Sequence, residues 1–191
     1  MKLMGIAAVL LSILTVGVMN NNQPKENSPS QSATEYIYPK IDGHGKVVNL
    51  PAAKQQPRDG SRLLIDITKG GEPDAENPAI EKVCRFVNIY AGAGTKPASV
   101  RIAVVLHGDA TLASLTPDAY ATRFKTNGNP NEQLLRTLTD AGVEFFVCGQ
   151  SLIGKGAKPE EVGPHVDVAV SALSAVANLQ ADGYAYVPML K

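Results

Sequence analysis

Residues 100–108 read Val-Arg-Ile-Ala-Val-Val-Leu-His-Gly, and this stretch indicates the fold class. A nearly unbroken apolar run of this length, closed by a glycine, is typical of a strand that is buried on both faces. Strands of that kind occur in parallel sheets covered by helices. The stretch therefore predicts an α/β protein, with His107 at the carboxyl end of a central strand.

The segments on either side of this strand alternate between strand-like and helix-like patterns. The predicted strands are residues 63–68, 100–106, 143–147, 165–170 and 184–187. The predicted helices are residues 77–91, 116–124, 131–141 and 171–182. Such alternation predicts a parallel sheet with helices on both faces. We expect a five-stranded, doubly wound sheet in the strand order 2-1-3-4-5.

The carboxyl ends of the predicted strands indicate where a site would form, because ligands of open α/β sheets bind there, at the point where the winding reverses. Cys148 closes the third strand and is followed by a glycine turn, so we expect its thiol to point out of the fold. His107 closes the second strand and Thr68 follows the first. The expected strand order brings these three positions to one edge.

The composition of the chain excludes some classes of partner. Its 191 residues contain 18 basic and 18 acidic side chains, so the formal net charge is zero. Nucleic-acid binding requires a basic surplus or stripe, and the sequence has neither. Tryptophan is absent and aromatic residues are few, which also argues against a surface for stacking bases.

The first 61 residues differ in character from the rest. Residues 3–18 form an apolar stretch after a basic start, as in a secretory signal peptide; an uncleaved N-terminal anchor is the alternative. Either predicts a periplasmic or secreted protein, with residues 3–18 as a membrane tether in the second case. Residues 19–34 read as a flexible linker. Residues 35–61 read as an extended arm with a short strand at residues 46–50, and residues 62–191 as the α/β domain.

The two cysteines have different surroundings in the sequence. Cys84 lies on the apolar stripe of the first predicted helix, which indicates a core position. Cys148 lies at a strand end before Gly149 and Gln150, where backbone N–H groups of the turn could face the sulfur. Sequence position leaves open whether the two cysteines pair, because geometry decides that.

Several segments resemble the DsrE-like family, specifically its exported single-domain branch. The resemblance covers about residues 36–188 and depends on the order and spacing of short motifs. These are Arg85-Phe-Val-Asn-Ile-Tyr90, Ile102-Ala-Val-Val-Leu-His-Gly108, Ala141-Gly-Val-Glu-Phe-Phe-Val-Cys-Gly-Gln150, Leu179-Gln-Ala-Asp-Gly-Tyr184 with Val187-Pro188, and Tyr38-Pro39 with Gly45-Lys-Val-Val48 in the arm.

The resemblance implies a flavodoxin-like fold, a homotrimer or homohexamer, and a cysteine that carries sulfur as a persulfide. Cys148 occupies the position of that cysteine, so the implied function is a sulfur carrier or sulfurtransferase of sulfur metabolism. Its implied partner is a small sulfur compound or a thiol partner protein.

We expect His107 to act beside Cys148 as a general base or sulfur-orienting group. The expected substrate contacts are Gly149, Gln150, Gly108 and Thr68. Metal-ligand spacings and nucleotide-binding glycine motifs are absent from the sequence, so we expect no metal and no cofactor.

Two other functions remain open. One is an oligomeric module that binds a small ligand at the strand ends, with Cys148 incidental. The other is a thiol-redox accessory protein in which Cys84 and Cys148 cycle. Asp66 could be an acid–base group, a subunit contact or an acceptor of backbone hydrogen bonds. Asn88 and Tyr90 are predicted to be packing or subunit contacts.

Overall fold

We describe a computed structural model of the chain, covering residues 35–189. The signal or anchor segment at residues 1–18 and the linker at residues 19–34 lie outside the described residues. Within residues 35–189, no helix combines the length and apolar character needed to cross a membrane.

Five strands and five helices follow one another along the domain. The strands are β1 (Ser61–Ile67), β2 (Val100–Leu106), β3 (Val143–Cys148), β4 (Asp167–Ala169) and β5 (Ala185–Met189). The helices are α1 (Pro78–Gly92), α2 (Pro117–Phe124), α3 (Glu132–Asp140), α4 (Gly149–Gly154) and α5 (Ala172–Ala181). Single 3₁₀ segments span Gly108–Ser114 and Pro159–Glu161. The strands and helices predicted for the α/β domain are all present, whereas α4 and the 3₁₀ segments were not predicted.

The helices begin where the sequence provides caps. Asn77 precedes α1 and accepts a hydrogen bond from the Ala79 N–H, with Pro78 in the first turn. The hydroxyl of Ser171 accepts from the Ser174 N–H at the start of α5. Side-chain acceptors of this kind satisfy N–H groups that the first helical turn leaves unpaired. These caps fix where each chain segment leaves the sheet edge.

All neighbouring strands of the sheet are parallel, in the order β4-β3-β2-β1-β5. The α/β class with a five-stranded parallel sheet is therefore confirmed. The predicted order 2-1-3-4-5 is wrong, because β2 lies between β1 and β3. The chain adds β2, β3 and β4 successively on one side of β1, and α5 then crosses back so that β5 joins the other side.

Alternating side chains of the strands form two unequal clusters. On one face, Ile65, Val104 and Val147 belong to the larger cluster, which packs against α1 and α3. On the other face, Leu64, Val105 and Cys148 form a smaller cluster with Ala172 of α5. We call this second side the α5 face. Its cover is a single helix, so it leaves polar and apolar groups near the surface.

The arm packs against α1 by way of one buried side chain. Asn88 accepts hydrogen bonds from the backbone N–H groups of Lys40 and Ile41, and its amide donates to three backbone carbonyl oxygens of the arm. Gly45 lies so close to α1 that an added Cβ would overlap the Arg85 backbone. Asn88 is thus a packing residue, as predicted. The strand predicted at residues 46–50 is reduced to one bridge between Ile37 and Val47.

Candidate functional site

Cys148 lies at the junction of β3 and α4, on the α5 face of the sheet. It is the last residue of the strand and also the cap of the short helix that follows. The residue is only 5% exposed, and Ala172 in the first turn of α5 packs against it. The expectation that the thiol points out of the fold is therefore wrong. The reason is tertiary: α5 crosses back over the sheet and covers the strand end.

The sulfur of Cys148 is surrounded by hydrogen-bond donors. The Ser151 N–H donates to Sγ at 3.4 Å. Burial acts to raise the pKa of Cys148, but hydrogen bonds from the Ser151 side chain and from the N–H groups of Ser151, Ala172 and Gln150 outweigh it, so the pKa is lowered. These donors come from the amino termini of two helices, α4 and α5, which is a setting that stabilises a thiolate.

Cys84 has the opposite environment. It is fully buried in the larger cluster on α1, and burial together with the nearby Glu81 and Glu76 raises its pKa to about 12. Both cysteines are free, and the sheet lies between them. Pairing Cys84 with Cys148 would require the sheet to open. The geometry therefore argues against a redox function in which these two thiols cycle.

Three polar side chains on three neighbouring strands make a continuous line on the α5 face. His107 Nε2 lies 2.7 Å from Oδ1 of Asp66, and the Tyr186 hydroxyl donates to Oδ2 of the same carboxylate at 2.5 Å. The hydrogen bond to Asp66, followed by burial, raises the pKa of Tyr186. One carboxylate thus joins β5, β1 and the end of β2.

The register of β2 and β3 brings this line up to Cys148. Leu106 pairs with Val147, so His107 and Cys148 occupy the next position on neighbouring strands. The backbone at His107 is extended, and its N–H continues the ladder by donating to the Ile67 carbonyl. Neighbouring strands lie about 4.8 Å apart. His107 is therefore adjacent to Cys148 on the same face.

Gly108 and Thr68 shape the loop next to this line. The Thr68 carbonyl accepts hydrogen bonds from the N–H groups of Asp109 and Ala110. Gly108 has a φ of 57° and lies so near that an added Cβ would be 2.9 Å from the Thr68 oxygen. The predicted residues thus lie at the same sheet edge as His107. Their backbone, and not their side chains, defines the loop.

Gly149 and Gln150 lie on the other side of the sulfur. An added Cβ on Gly149 would be 2.9 Å from the Ala169 carbonyl oxygen, so the glycine lets α4 begin close against β4. The role of Gly149 as a substrate contact stays a prediction. The Gln150 side chain is exposed and donates to the Val170 carbonyl oxygen at 3.3 Å.

A cavity of about 430 Å³ lies away from this edge. It is bounded by the arm and the outer side of α1, with Tyr36, Leu50 and Ile89 among its lining residues. That is the opposite side of the sheet from Cys148. Among residues 35–189, no three or more His, Cys, Asp or Glu side chains are grouped as metal ligands would be.

Comparison with known proteins identifies the family of the chain. The DsrE/DsrF-like family matches residues 63–189, which is about two thirds of the chain. The chain belongs to the DsrE/DsrF-like family. The match runs from within β1 to the end of β5 and so includes Asp66, His107, Cys148 and Tyr186. The family resemblance and the α/β class drawn from the sequence are therefore confirmed.

Several solved structures match this family member, and one of them serves as an example. It is MTH1491 from Methanobacterium thermoautotrophicum, described as a protein of unknown function. The two sequences are 22% identical, the match covers 67% of this chain and 98% of the other, and the TM-score is 0.48. No curated protein matches the chain significantly.

Two features of this site were missed in the sequence. The first is the amino terminus of α5, whose Ala172 N–H faces Cys148. It was missed because Ala172 is distant from Cys148 in the sequence and no local pattern brings the two together. The second is the pairing of Asp66 with Tyr186. Asp66 could have been found from the sequence, because it is a charged residue inside the apolar run of β1. Tyr186 could not, because no local pattern indicates that β5 pairs with β1.

Proposed function

We propose that this family member is a sulfur carrier of the sulfurtransferase type, in which Cys148 accepts a sulfane sulfur atom and passes it on. The observation that supports this is the set of N–H and hydroxyl donors around Cys148, with the lowered pKa that results. A thiolate is the nucleophilic form of cysteine, and this environment favours it. Membership of a family linked to sulfur relay is consistent with the proposal.

The transfer balances without an oxidant. The Cys148 thiolate attacks the outer sulfur of a persulfide donor, a new S–S bond forms, and the donor's own S–S bond breaks, leaving its thiolate. The product is a Cys148 persulfide. An acceptor thiolate then attacks the outer sulfur and releases the Cys148 thiolate. In both steps one S–S bond replaces another.

We further propose that the donor or acceptor approaches at the start of α5. The sulfur is covered by the first turn of that helix, so the turn must move for a partner to reach it. Two exposed apolar residues lie in or next to this turn, Val170 and Leu173. An exposed apolar patch of this kind is typical of a protein interaction site. A thiol partner protein or further copies of the chain in a trimer or hexamer would fit it.

The proposed setting for this chemistry is the periplasm or the exterior of the cell, since the sequence begins with the pattern of an export signal or anchor. Fractionation of cells that express the full chain, with N-terminal sequencing of the mature protein, tests this. Recovery of the intact chain from the cytosol would refute it.

Intact-mass analysis tests the carrier function. The full chain is incubated with polysulfide, glutathione persulfide or thiosulfate, alongside the variants Cys148→Ser and Cys84→Ser. We expect an adduct of one sulfur atom that is lost only in Cys148→Ser and is transferred to an added thiol. Absence of an adduct with every donor would refute the proposal and favour the small-ligand-binding module. Dependence on both cysteines would favour the redox function.

A further inference from the structure

The line formed by Tyr186, Asp66 and His107 is unusual for a sheet face that packs under a helix. The neighbouring positions on this face are apolar, for example Leu64 and Val105. The Asp66 side chain is only 12% exposed, yet both of its oxygens accept hydrogen bonds. Burying a carboxylate is costly unless it is paired, and packing the sheet does not require one. The arrangement therefore suggests a chemical role.

The hydrogen bonds determine which nitrogen of His107 carries a proton. Because an ionised carboxylate can only accept, the contact with Asp66 requires a proton on Nε2. The other nitrogen, Nδ1, makes no hydrogen bond to any group within residues 35–189. The His107 side chain is 29% exposed, so small molecules can reach it. Nδ1 is thus the nitrogen free to take up and release a proton.

The position of His107 specifies where that proton would go. Continuing the register of β2 and β3 by one residue puts His107 in the position beside Cys148, and its hydrogen bond to Asp66 puts it on the α5 face. We propose that His107 carries the proton between the Cys148 thiol and the departing thiolate during thiol exchange, with Asp66 and Tyr186 as positioning residues. This inference rests on the proposed role of Cys148 as the nucleophile.

The step conserves atoms and charge. The S–H bond of Cys148 breaks and its proton moves to Nδ1 of His107, giving an imidazolium beside the Asp66 carboxylate. The thiolate attacks the nearer sulfur of R–S–S–R, forming one S–S bond while the other breaks with its electron pair on the leaving sulfur. The leaving thiolate takes the proton from Nδ1. The products are the mixed disulfide on Cys148 and RSH.

Tyr186 has a supporting role in this arrangement. Its hydroxyl donates to Oδ2, which leaves Oδ1 facing His107. Removing the hydroxyl would leave the carboxylate free to turn, so the imidazole would be less well held. The effect of Tyr186→Phe should therefore have the same pattern as that of Asp66→Asn but be smaller.

The test compares two disulfide probes that differ in their need for a proton. An aromatic disulfide releases thionitrobenzoate, a good leaving group that departs unprotonated, whereas hydroxyethyl disulfide releases a basic aliphatic thiolate. Reaction at Cys148 of the full chain is followed by intact mass for both. Cys148→Ser gives the background. Because the pKa of Cys148 is lowered by groups other than His107, the thiol can lose its proton to water when His107 is replaced. Only proton delivery to the aliphatic leaving group should therefore depend on His107.

We expect His107→Gln to slow the aliphatic reaction about 100-fold and the aromatic reaction less than about threefold. Asp66→Asn should show the same selective slowing. The matched controls His165→Gln and Tyr184→Phe, which lie outside the line, should change neither rate. The reaction with the aromatic probe also verifies that each variant is folded around Cys148.

Equal slowing with both probes would overturn the inference, because it would indicate a structural effect on Cys148. Unchanged rates, or a Cys148 that reacts with neither probe, would overturn it as well. The carrier function can fail separately. If the variants show the selective slowing but the wild-type chain accepts no sulfane sulfur, His107 transfers protons at Cys148 and the proposed sulfur transfer is refuted.

Discussion

Replacing Asn88 by alanine should release the arm from α1. This buried side chain makes five hydrogen bonds, all to backbone groups of residues 40–45. The variant leaves the Ile41 N–H without its acceptor, in a residue that is only 3% exposed. Within residues 35–189, no other single side chain makes as many hydrogen bonds between the arm and the domain.

The loss of stability in Asn88→Ala depends on which of the released backbone groups can form hydrogen bonds to water instead. An orphaned buried donor costs about 1–3 kcal/mol, and the groups near the surface cost less because water replaces the amide. A loss of about 3 kcal/mol in the free energy of unfolding is therefore expected. For a domain of this size, that corresponds to a fall in Tm of roughly 6–12 °C.

Thermal unfolding and limited trypsin digestion measure this change. Trypsin should cut Asn88→Ala at Lys40 or Lys46 well before it cuts the wild-type arm. Asn178→Ala on the exposed side of α5 is the matched control and should leave both measurements unchanged. A Tm within about 1 °C of wild type, with an arm that remains resistant, would refute the reasoning that Asn88 holds the arm.

Three further predictions concern the site. Iodoacetamide should modify Cys148 in the folded protein at a pH below the usual thiol range, because the pKa of Cys148 is lowered. It should spare Cys84, whose pKa is raised to about 12. Equal labelling of the two cysteines, measured by peptide mass, would contradict this prediction. Gly149→Ala should lower the free energy of unfolding by about 1–3 kcal/mol, since its Cβ would lie 2.9 Å from a β4 carbonyl oxygen. Gly154→Ala, with open space for its Cβ, is the control in urea denaturation, and equal effects would be evidence against the explanation. The raised pKa of Tyr186 means that the folded state holds the phenol proton more tightly, so this stabilisation is present below the usual tyrosine pKa and is lost as the pH rises through the raised value. Between neutral and alkaline pH, the free energy of unfolding of Tyr186→Phe should therefore fall less than that of wild type. Urea denaturation at several pH values measures this, and an equal fall in both proteins would contradict the prediction.

The sequence determined the elements of the fold because their signals are local. The apolar run of β2 and the capped start of α1 each depend on a few consecutive residues. The same holds for Cys148 at the end of β3, which strand and turn patterns placed there. Helix α4 was missed because six residues are too few to show a helical period.

The tertiary structure alone decided the strand order and the surroundings of the thiol. No local pattern states on which side of β1 the later strands add, so the order β4-β3-β2-β1-β5 had to come from packing. That order places β5 beside β1, which brings Tyr186 to Asp66 across 120 positions of the sequence. It also sends α5 back over the sheet, which buries Cys148 and directs a second helix terminus at its sulfur. Contacts between residues so far apart in the chain depend on the closed fold, because only there do their hydrogen bonds and burial outweigh the entropy of bringing them together.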